Sequence, residues 1–459
     1  MTPTFRAFVF LITGLLGSTA ASSGNIALVG GRLIDGFGHA PLRNSVILIE
    51  QERIKAVGTV ATLAVPADYS VISTEGMDLL PGLWESHAHL MLTGHADYPH
   101  WQANYLDRMA EEIMPATASH LLLAGITSAR DLGAPLEASQ SVKSRIDNGD
   151  IPGPRLFMSG PFLQAEVAPW QSAYRWAVTS PADARRKVAR LDEAGMAIVK
   201  LIDQDKLPLA IAQAVVDEAH QRGMKVVAHA HRPNEIRVGL KIGVDNFEHT
   251  GLTTAPEYPP DVMAALKERT ATGRVAGGPL YWTPTVEGLW NFDRTVANPE
   301  KLDDTCWERG LKADTIADVR GSIARPGQLA YTRLTPLRKP TLKRKIDQLR
   351  EAGVVFLVGT DSGIPMKFHC QSTWNELDVL VRVMELKPME VIRSAVYWPA
   401  VMMDVEADLG TVSAGKFADI IGVRGDVLQY INLLQHVELV MKGGTVYKQH
   451  GIPVEAALR

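Results

Sequence analysis

Short apolar runs mark both ends of the chain, and in the middle they alternate with amphipathic stretches. Near the start, Ile26-Ala27-Leu28-Val29 leads into a Gly30-Gly31 turn, and Ser45-Val46-Ile47-Leu48-Ile49 is followed by Arg53-Ile54-Lys55-Ala56-Val57-Gly58. Runs of this length bounded by Gly, Pro and Asn predict β-strands. The same character returns late, in Gly415-Lys416-Phe417-Ala418-Asp419-Ile420-Ile421 and in Val437-Glu438-Leu439-Val440-Met441-Lys442-Gly443-Gly444. Two β segments flanking a long middle predict one small β-sandwich built from both chain ends.

The middle carries eight candidate strands. The first is the run ending in Glu85-Ser86-His87-Ala88-His89. The others lie at 126–130, 155–159, 197–202, 225–229, 246–249, 281–286 and 354–361. Most connections have helical patterning, as at 181–195 and 209–222. Eight β-then-α units predict an α/β fold, a (β/α)8 barrel of the TIM type. The link 287–353 is long enough to hold helices of its own and to form a cap, since a structureless loop of that length is unusual. The implied organisation is a leader at 1–21, the first part of the sandwich at 22–80, the barrel at 81–405 and the second part of the sandwich at 406–459.

The leader follows from the basic start Met1-Thr2-Pro3-Thr4-Phe5-Arg6, the apolar run 7–16 and the small residues Gly17-Ser18-Thr19-Ala20-Ala21. This is signal-peptide patterning, and the run is shorter than the roughly 20 apolar residues a membrane span needs. Cleavage near Ala20 or Ala21 would export the chain to a periplasm or the outside and leave no stable membrane anchor. The rest of the composition is ordinary for a globular protein: 46% hydrophobic, 21% charged, net charge −4. With no block of like charge, nucleic-acid binding through a basic face is not suggested. Two cysteines, Cys306 and Cys370, could pair after export, but they are too few for a disulfide framework. A small-molecule substrate is expected, and a homo-oligomer is compatible with the sequence.

Candidate chemistry gathers at predicted strand ends. His87 and His89 stand one residue apart, so on a strand they point to the same face and both can reach one metal ion. Lys200 ends the fourth strand, His229 the fifth, His249 the sixth and Asp361 the eighth, with His231 two residues beyond His229. In a (β/α)8 barrel the C-terminal strand ends share one mouth, where active sites lie. These residues would converge there although they span much of the sequence. A lysine beside divalent cations is repelled in its charged form, which lowers its pKa. The free amine can then take up carbon dioxide as a carbamate, whose two oxygens can bridge two metals. The alternative for Lys200 is a side chain turned away to pair with an acid.

Several segments together resemble the amidohydrolase superfamily, more narrowly its imidazolonepropionase-like and Xaa-Pro dipeptidase-like group. They are Leu80-Pro81-Gly82-Leu83-Trp84-Glu85-Ser86-His87-Ala88-His89, Gly125-Ile126-Thr127-Ser128-Ala129-Arg130-Asp131-Leu132-Gly133, Val227-Ala228-His229-Ala230-His231, Phe247-Glu248-His249 and Gly359-Thr360-Asp361-Ser362-Gly363. The tail Leu409-Gly410-Thr411-Val412-Ser413-Ala414-Gly415-Lys416-Phe417-Ala418-Asp419 is also typical of the group. The resemblance implies two divalent metal ions, zinc by the family pattern. His87, His89 and Asp361 would hold one, and His229 and His249 the other. N6-carboxylated Lys200 and a hydroxide would bridge them, and Asp361 would move the proton as general base and acid. His231 could bind the substrate carbonyl or support the ligands as a hydrogen-bond donor.

The implied activity is hydrolysis of an amide bond, in a dipeptide or an N-acyl amino acid. A lactone or ester hydrolase on the same site, and a catalytically silent metal-binding assembly protein, are the competing readings. Two departures bear on substrate. Imidazolonepropionases carry a glutamate shortly after the fifth-strand histidine and lack the lysine, whereas here His229 is followed by Ala230-His231-Arg232-Pro233 and Lys200 is present. Many dipeptidase-like relatives carry Gly-Gly-His after the third strand, and this chain has Gln164-Ala165-Glu166-Val167-Ala168-Pro169-Trp170-Gln171. Candidate substrate contacts are Arg232, which could pair with a carboxylate, and the loop aromatics Trp170 and Trp282.

Overall fold

A computed structural model describes residues 24–250, 253–272 and 278–458. The predicted leader at 1–21 lies outside them. Among the described residues no helix is long and apolar enough to cross a membrane.

The chain ends build two sheets. One orders the strands Arg53–Thr59, Ser45–Glu50, Ile26–Val29 and Ser70–Ser73. The other orders Arg32–Leu33, Met77–Pro81, Ile420–Arg424, Val437–Lys442, Thr445–Gln449 and Ile452–Pro453. Their shared core holds Leu28, Ile47, Ile49 and Ile54 from the first sheet against Leu79, Ile420, Leu439 and Met441 from the second. Alternate residues of each strand face this core, the period-2 pattern of a strand; on the other face of the first sheet Ala27, Val46 and Leu48 form a second, smaller apolar cluster. N- and C-terminal segments pair directly, with Leu80 opposite Ile421 in antiparallel register.

The sandwich delivers the chain straight into the barrel. Strand Met77–Pro81 passes through Gly82 into β1, Leu83–Ala88. A Cβ on Gly82 would lie 2.1 Å from Thr127 Oγ1, so only glycine fits this crossing. The barrel continues with β2 Ile126–Asp131, β3 Arg155–Met158, β4 Ile198–Leu201, β5 Lys225–His229, β6 Asn246–Glu248, β7 Tyr281–Thr283 and β8 Val355–Phe356. The pairs β1–β2, β2–β3 and β4 through β8 are parallel. Ala197 N donating to Met158 O (3.0 Å) joins β3 to β4, and Ser86 N donating to Val358 O (2.9 Å) closes the ring between β8 and β1. β4, all four residues buried, reads Ile-Val-Lys-Leu, the near-continuous apolar run expected of a parallel strand covered on both faces. Its one polar member is Lys200.

Two excursions rise from the barrel mouth. After β3 the chain adds two short strands, Phe162–Gln164 and Arg175–Ala177. After β7 the insert 287–353 forms helices Glu287–Ala297, Ala313–Ile323, Ala330–Arg333, Thr335–Arg338 and Leu342–Glu351, the predicted cap. Cys306 in the insert is disulfide-bonded to Cys370, which follows β8. A polar cluster also ties the cap to the segment after β1. Asp318 accepts from Tyr105 Oη and pairs with His100 Nε2, both at 2.8 Å, and Ala96 N donates to Ser322 Oγ. The Tyr98 and Tyr331 hydroxyls meet at 2.8 Å across the same seam.

Candidate active site

Five barrel strands bring seven predicted residues to one mouth. β1 supplies His87 and His89, β4 Lys200, β5 His229 and His231, β6 His249 and β8 Asp361. His89 Nε2 lies 2.9 Å and His87 Nε2 3.5 Å from Asp361 Oδ1. Ring centroids of His229 and His249 are 4.9 Å apart, those of His87 and His249 4.8 Å. The donor atoms of His87, His89 and Asp361 lie within 4.8 Å of one another, and so do those of His229, His231 and His249. His231 thus stands within ligand distance of the second group, stacked on His249 at 4.3 Å.

The backbone is bent to make this cluster. His249 and Asp361 adopt φ of +76° and +63°, a conformation that costs a residue with a side chain roughly 1–3 kcal/mol. Specific contacts hold each in place. Trp282 Nε1 donates to the His249 carbonyl (2.8 Å), His249 Nδ1 meets Thr285 Oγ1 (2.8 Å), and Asp361 N donates to the His87 carbonyl (2.7 Å). A Cβ on Gly359 would come within 2.7 Å of His87 N, so glycine is needed for β8 to approach β1 this closely.

Beneath the cluster lies a buried charge network. Glu248 accepts from or pairs with His87 Nδ1 (2.8 Å) through one oxygen and accepts from Arg130 Nη2 (2.8 Å) through the other. Burial pushes the Glu248 carboxyl up, but Arg130, His87 and Lys200 outweigh it and bring it down to about 2. Glu248 therefore stays ionised and fixes the His87 ring, leaving Nε2 toward the mouth. Glu85 accepts from His87 N (2.9 Å), Thr360 N (2.8 Å), Thr360 Oγ1 (2.9 Å) and Thr373 Oγ1 (2.7 Å), fastening the β1 and β8 ends together. Asp131 accepts from Leu90 N (2.8 Å) just past His89.

The electrostatics favour metal ligation. Burial, then the neighbouring Lys200 charge, lowers His87 to about 4 and His229 well below the usual imidazole range. His231 falls to about 3, chiefly through burial. These rings are neutral, the form that coordinates metals. Burial brings the Lys200 amine down to about 8. Asp361 is held well below the usual carboxylate range, His87 and His89 outweighing burial. His87 Nε2, His89 Nδ1, His231 Nδ1 and Lys200 Nζ are buried with no hydrogen-bond partner. Buried unsatisfied atoms such as His87 Nε2 and Lys200 Nζ are costly unless a ligand completes them. The donor set, imidazoles with one carboxylate, fits zinc-class divalent ions. Lys200 does not turn away to an acid: its amine is unpaired and directed into the barrel.

A cavity of about 250 Å³ opens above this cluster, lined by His89, His229, His231, His249 and Asp361 at its floor. Its walls are largely aromatic: Tyr98, Phe162, Tyr174, Phe292 and Tyr331. Arg175, Arg338 and Lys367 also line it. Three predicted substrate contacts lie elsewhere. Trp170 is 40% exposed on the turn Pro169–Gln171 and forms no part of the lining. Trp282 is fully buried behind His249 and positions it from the rear. Arg232 is taken up by Asp203 (3.1 Å), Asp205 (2.8 Å) and Glu235 (3.0 Å), a salt-bridge role rather than a free cation facing the site. Sequence reasoning missed Arg175, Arg338, Tyr98 and Tyr331, because they belong to connections whose pattern does not tell which side chains face the mouth. Glu85, Arg130 and Glu248 were visible only as members of the recurring segments.

The model of the family described as "Amidohydrolase family" matches residues 79–448. The chain belongs to the amidohydrolase family. This amidohydrolase is a hydrolase of carbon–nitrogen bonds, in a family that is generally metal-dependent. Among solved structures it is similar to a candidate prolidase from Bifidobacterium longum, with 25% identity and a TM-score of 0.69 over 95% of this chain and 98% of that one. A Xaa-Pro dipeptidase with methionine bound in its active site gives 22% identity and a TM-score of 0.70 over 92% and 100%. The ochratoxinase of A. niger gives 22% and 0.67 over 93% and 96%. No curated protein matches the chain.

Proposed function

We propose that the protein is an exported, metal-dependent amidohydrolase that cleaves an amide bond in a dipeptide or an N-acyl amino acid. The observation that carries this reading is the convergence of His87, His89, Lys200, His229, His249 and Asp361 at and just beneath the floor of one cavity. Similarity to a Xaa-Pro dipeptidase and to a candidate prolidase supports the substrate type.

His87, His89 and Asp361 would hold one divalent ion and His229 and His249 a second, with Lys200 between them. Such ions, zinc by the donor set, would supply a water acidified to a pKa of about 7 and a Lewis acid for the carbonyl. Lys200, with its amine lowered to about 8, has a free-base fraction near neutral pH. That amine nitrogen can bond the carbon of carbon dioxide and release one proton, giving a carbamate with two ligating oxygens. Asp361 is ionised and exposed to the cavity, so it can take a proton from the attacking water and hand it to the departing amine nitrogen. His231, neutral and facing the same space, can donate to the carbonyl oxygen. Tyr331 and Phe292 of the cap, with Tyr98 and Tyr174 from the barrel side, shelter the floor from bulk water. The leader pattern at 1–21 supports export, and so does the Cys306–Cys370 disulfide, a bond that persists in oxidising compartments.

The test is an assay of metal-loaded protein against dipeptides, N-acyl amino acids, lactones and simple esters. Amine release from the amides is expected, with Asp361→Asn lowering kcat by roughly 10²–10⁴-fold at unchanged circular dichroism. Turnover confined to lactones or esters, or none by protein with full metal content, would refute the proposal.

A further inference from the structure

Two guanidinium groups line the cavity, and neither has a carboxylate partner among the described residues. Arg175 comes from the short strand Arg175–Ala177 after β3, and Arg338 ends the cap helix Thr335–Arg338. Arg175 Nη1 donates to the neutral Gln164 Oε1 (2.8 Å), its guanidinium also hydrogen-bonds the neutral Tyr174 side chain, and its Nε is buried without a partner. Its guanidinium lies over the cavity-wall rings of Phe162 (5.0 Å) and Tyr174 (5.4 Å). The Nε of Arg338 is likewise buried and unpaired. No acid offsets its burial, which lowers its pKa.

This differs from the other cations near the mouth. Lys367, also in the lining, is paired with Glu287 at 3.1 Å, and Arg232 faces three acids. Most of the chain's arginines that leave bulk solvent are matched in the same way, as Arg32 is by Asp78 and Asp426. An unpaired, partly desolvated guanidinium is costly, and two beside one cavity make a standing site for an anion. A carboxylate is the planar anion whose geometry suits a guanidinium fork.

We infer that Arg175 and Arg338 bind the free carboxylate of the substrate, so that the enzyme selects anionic amides and releases the carboxylate-bearing amino acid. This rests on the hydrolase reading above and narrows it. One arginine belongs to the barrel excursion and the other to the cap, so the carboxylate would be held from both sides of the cavity. The aromatic walls would hold the apolar part of the substrate between the arginines and the histidine floor.

The experiment compares a free-acid substrate with its carboxamide, which keeps shape and removes charge. The probes are N-acetyl-phenylalanine and N-acetyl-phenylalaninamide, and glycyl-phenylalanine with its amide. The wild-type enzyme is expected to favour the acid in kcat/KM by roughly 10–100-fold, carried mainly by KM, the range for charge-assisted hydrogen bonds. In Arg175→Met and Arg338→Met that ratio should collapse toward one. Calorimetry supplies a second readout without turnover: phenylalanine should bind the metal-loaded wild type more tightly than phenylalaninamide, and the preference should vanish in each variant. Equal kcat/KM for acid and amide, or a preference that survives in both variants, would overturn the inference while leaving the hydrolase standing. Absence of turnover on every amide, acid and capped alike, would instead overturn the hydrolase reading; the calorimetric preference would then still decide on the arginines.

Discussion

At the scale of single residues, Lys200 has the most unusual surroundings. It is a fully buried amine with no partner, in a strand otherwise made of apolar side chains. Burying a charge without compensation is costly, so such a position persists in a structure when a ligand or a chemical change completes it. If the side chain bridges two metals, Lys200→Ala removes a shared ligand from both. Metal analysis of that variant should show loss of at least one ion per chain, and unchanged stoichiometry would rule out the bridge.

A different residue reports on pH. His220 Nε2 pairs with Asp245 Oδ2 at 3.0 Å, and this hydrogen bond, larger than the opposing effect of burial, raises its pKa. The folded pKa is above the unfolded value of about 6.5, so the stabilisation is fully present below that value and is lost as pH rises through the folded pKa. His220→Gln should therefore lower Tm by about 1 °C at pH 5.5 and by much less at pH 9. An equal loss at both pH values would show that the pair contributes through packing rather than charge.

At the scale of elements, the cap and the strand ends depend on few attachments. The Cys306–Cys370 bond closes a segment with a sequence separation of 64 and ties the cap to the turn after β8. Chain-entropy reasoning gives such a link about 4 kcal/mol. Cys306→Ala with Cys370→Ala should lower Tm by several degrees in a thermal scan; an unchanged Tm would mean that the bond does not support the fold. The elements also show what could be read from the sequence. Barrel strands were legible because parallel strands buried on both faces are short, apolar and punctuated. The convergence of the candidate ligands was legible because they sit at the ends of those strands. His87-x-His89, for example, shows two imidazoles on one strand face. Most of the cavity wall was not legible. Tyr98, Arg175, Tyr331 and Arg338 lie in connections where side-chain direction depends on tertiary packing. Arg232, adjacent to the histidine pair in sequence, was the natural candidate for a carboxylate. It is instead consumed by Asp203, Asp205 and Glu235, and Arg175, well upstream of that pair, occupies the cavity wall.

At the scale of the whole molecule, the sandwich, barrel and cap have distinct tasks. The sandwich closes both chain ends and feeds Met77–Pro81 into β1, fixing where His87 and His89 begin. The barrel gathers the candidate metal ligands from five strands and underpins them with the Arg130–Glu248–His87 network. The cap shelters the floor with Phe292 and Tyr331 and carries Arg338. In the proposed function these parts meet in one place: metal ions held by the strand-end residues make the cavity an amide hydrolase. The most direct test is the rate of amine release from an N-acyl amino acid or dipeptide by the full chain, before metal removal, after chelation and dialysis, and after reloading with zinc. The rate is expected to be lost on stripping and restored on reloading. A stripped chain that keeps its rate, or a fully reloaded chain that releases no amine, would contradict the proposed function.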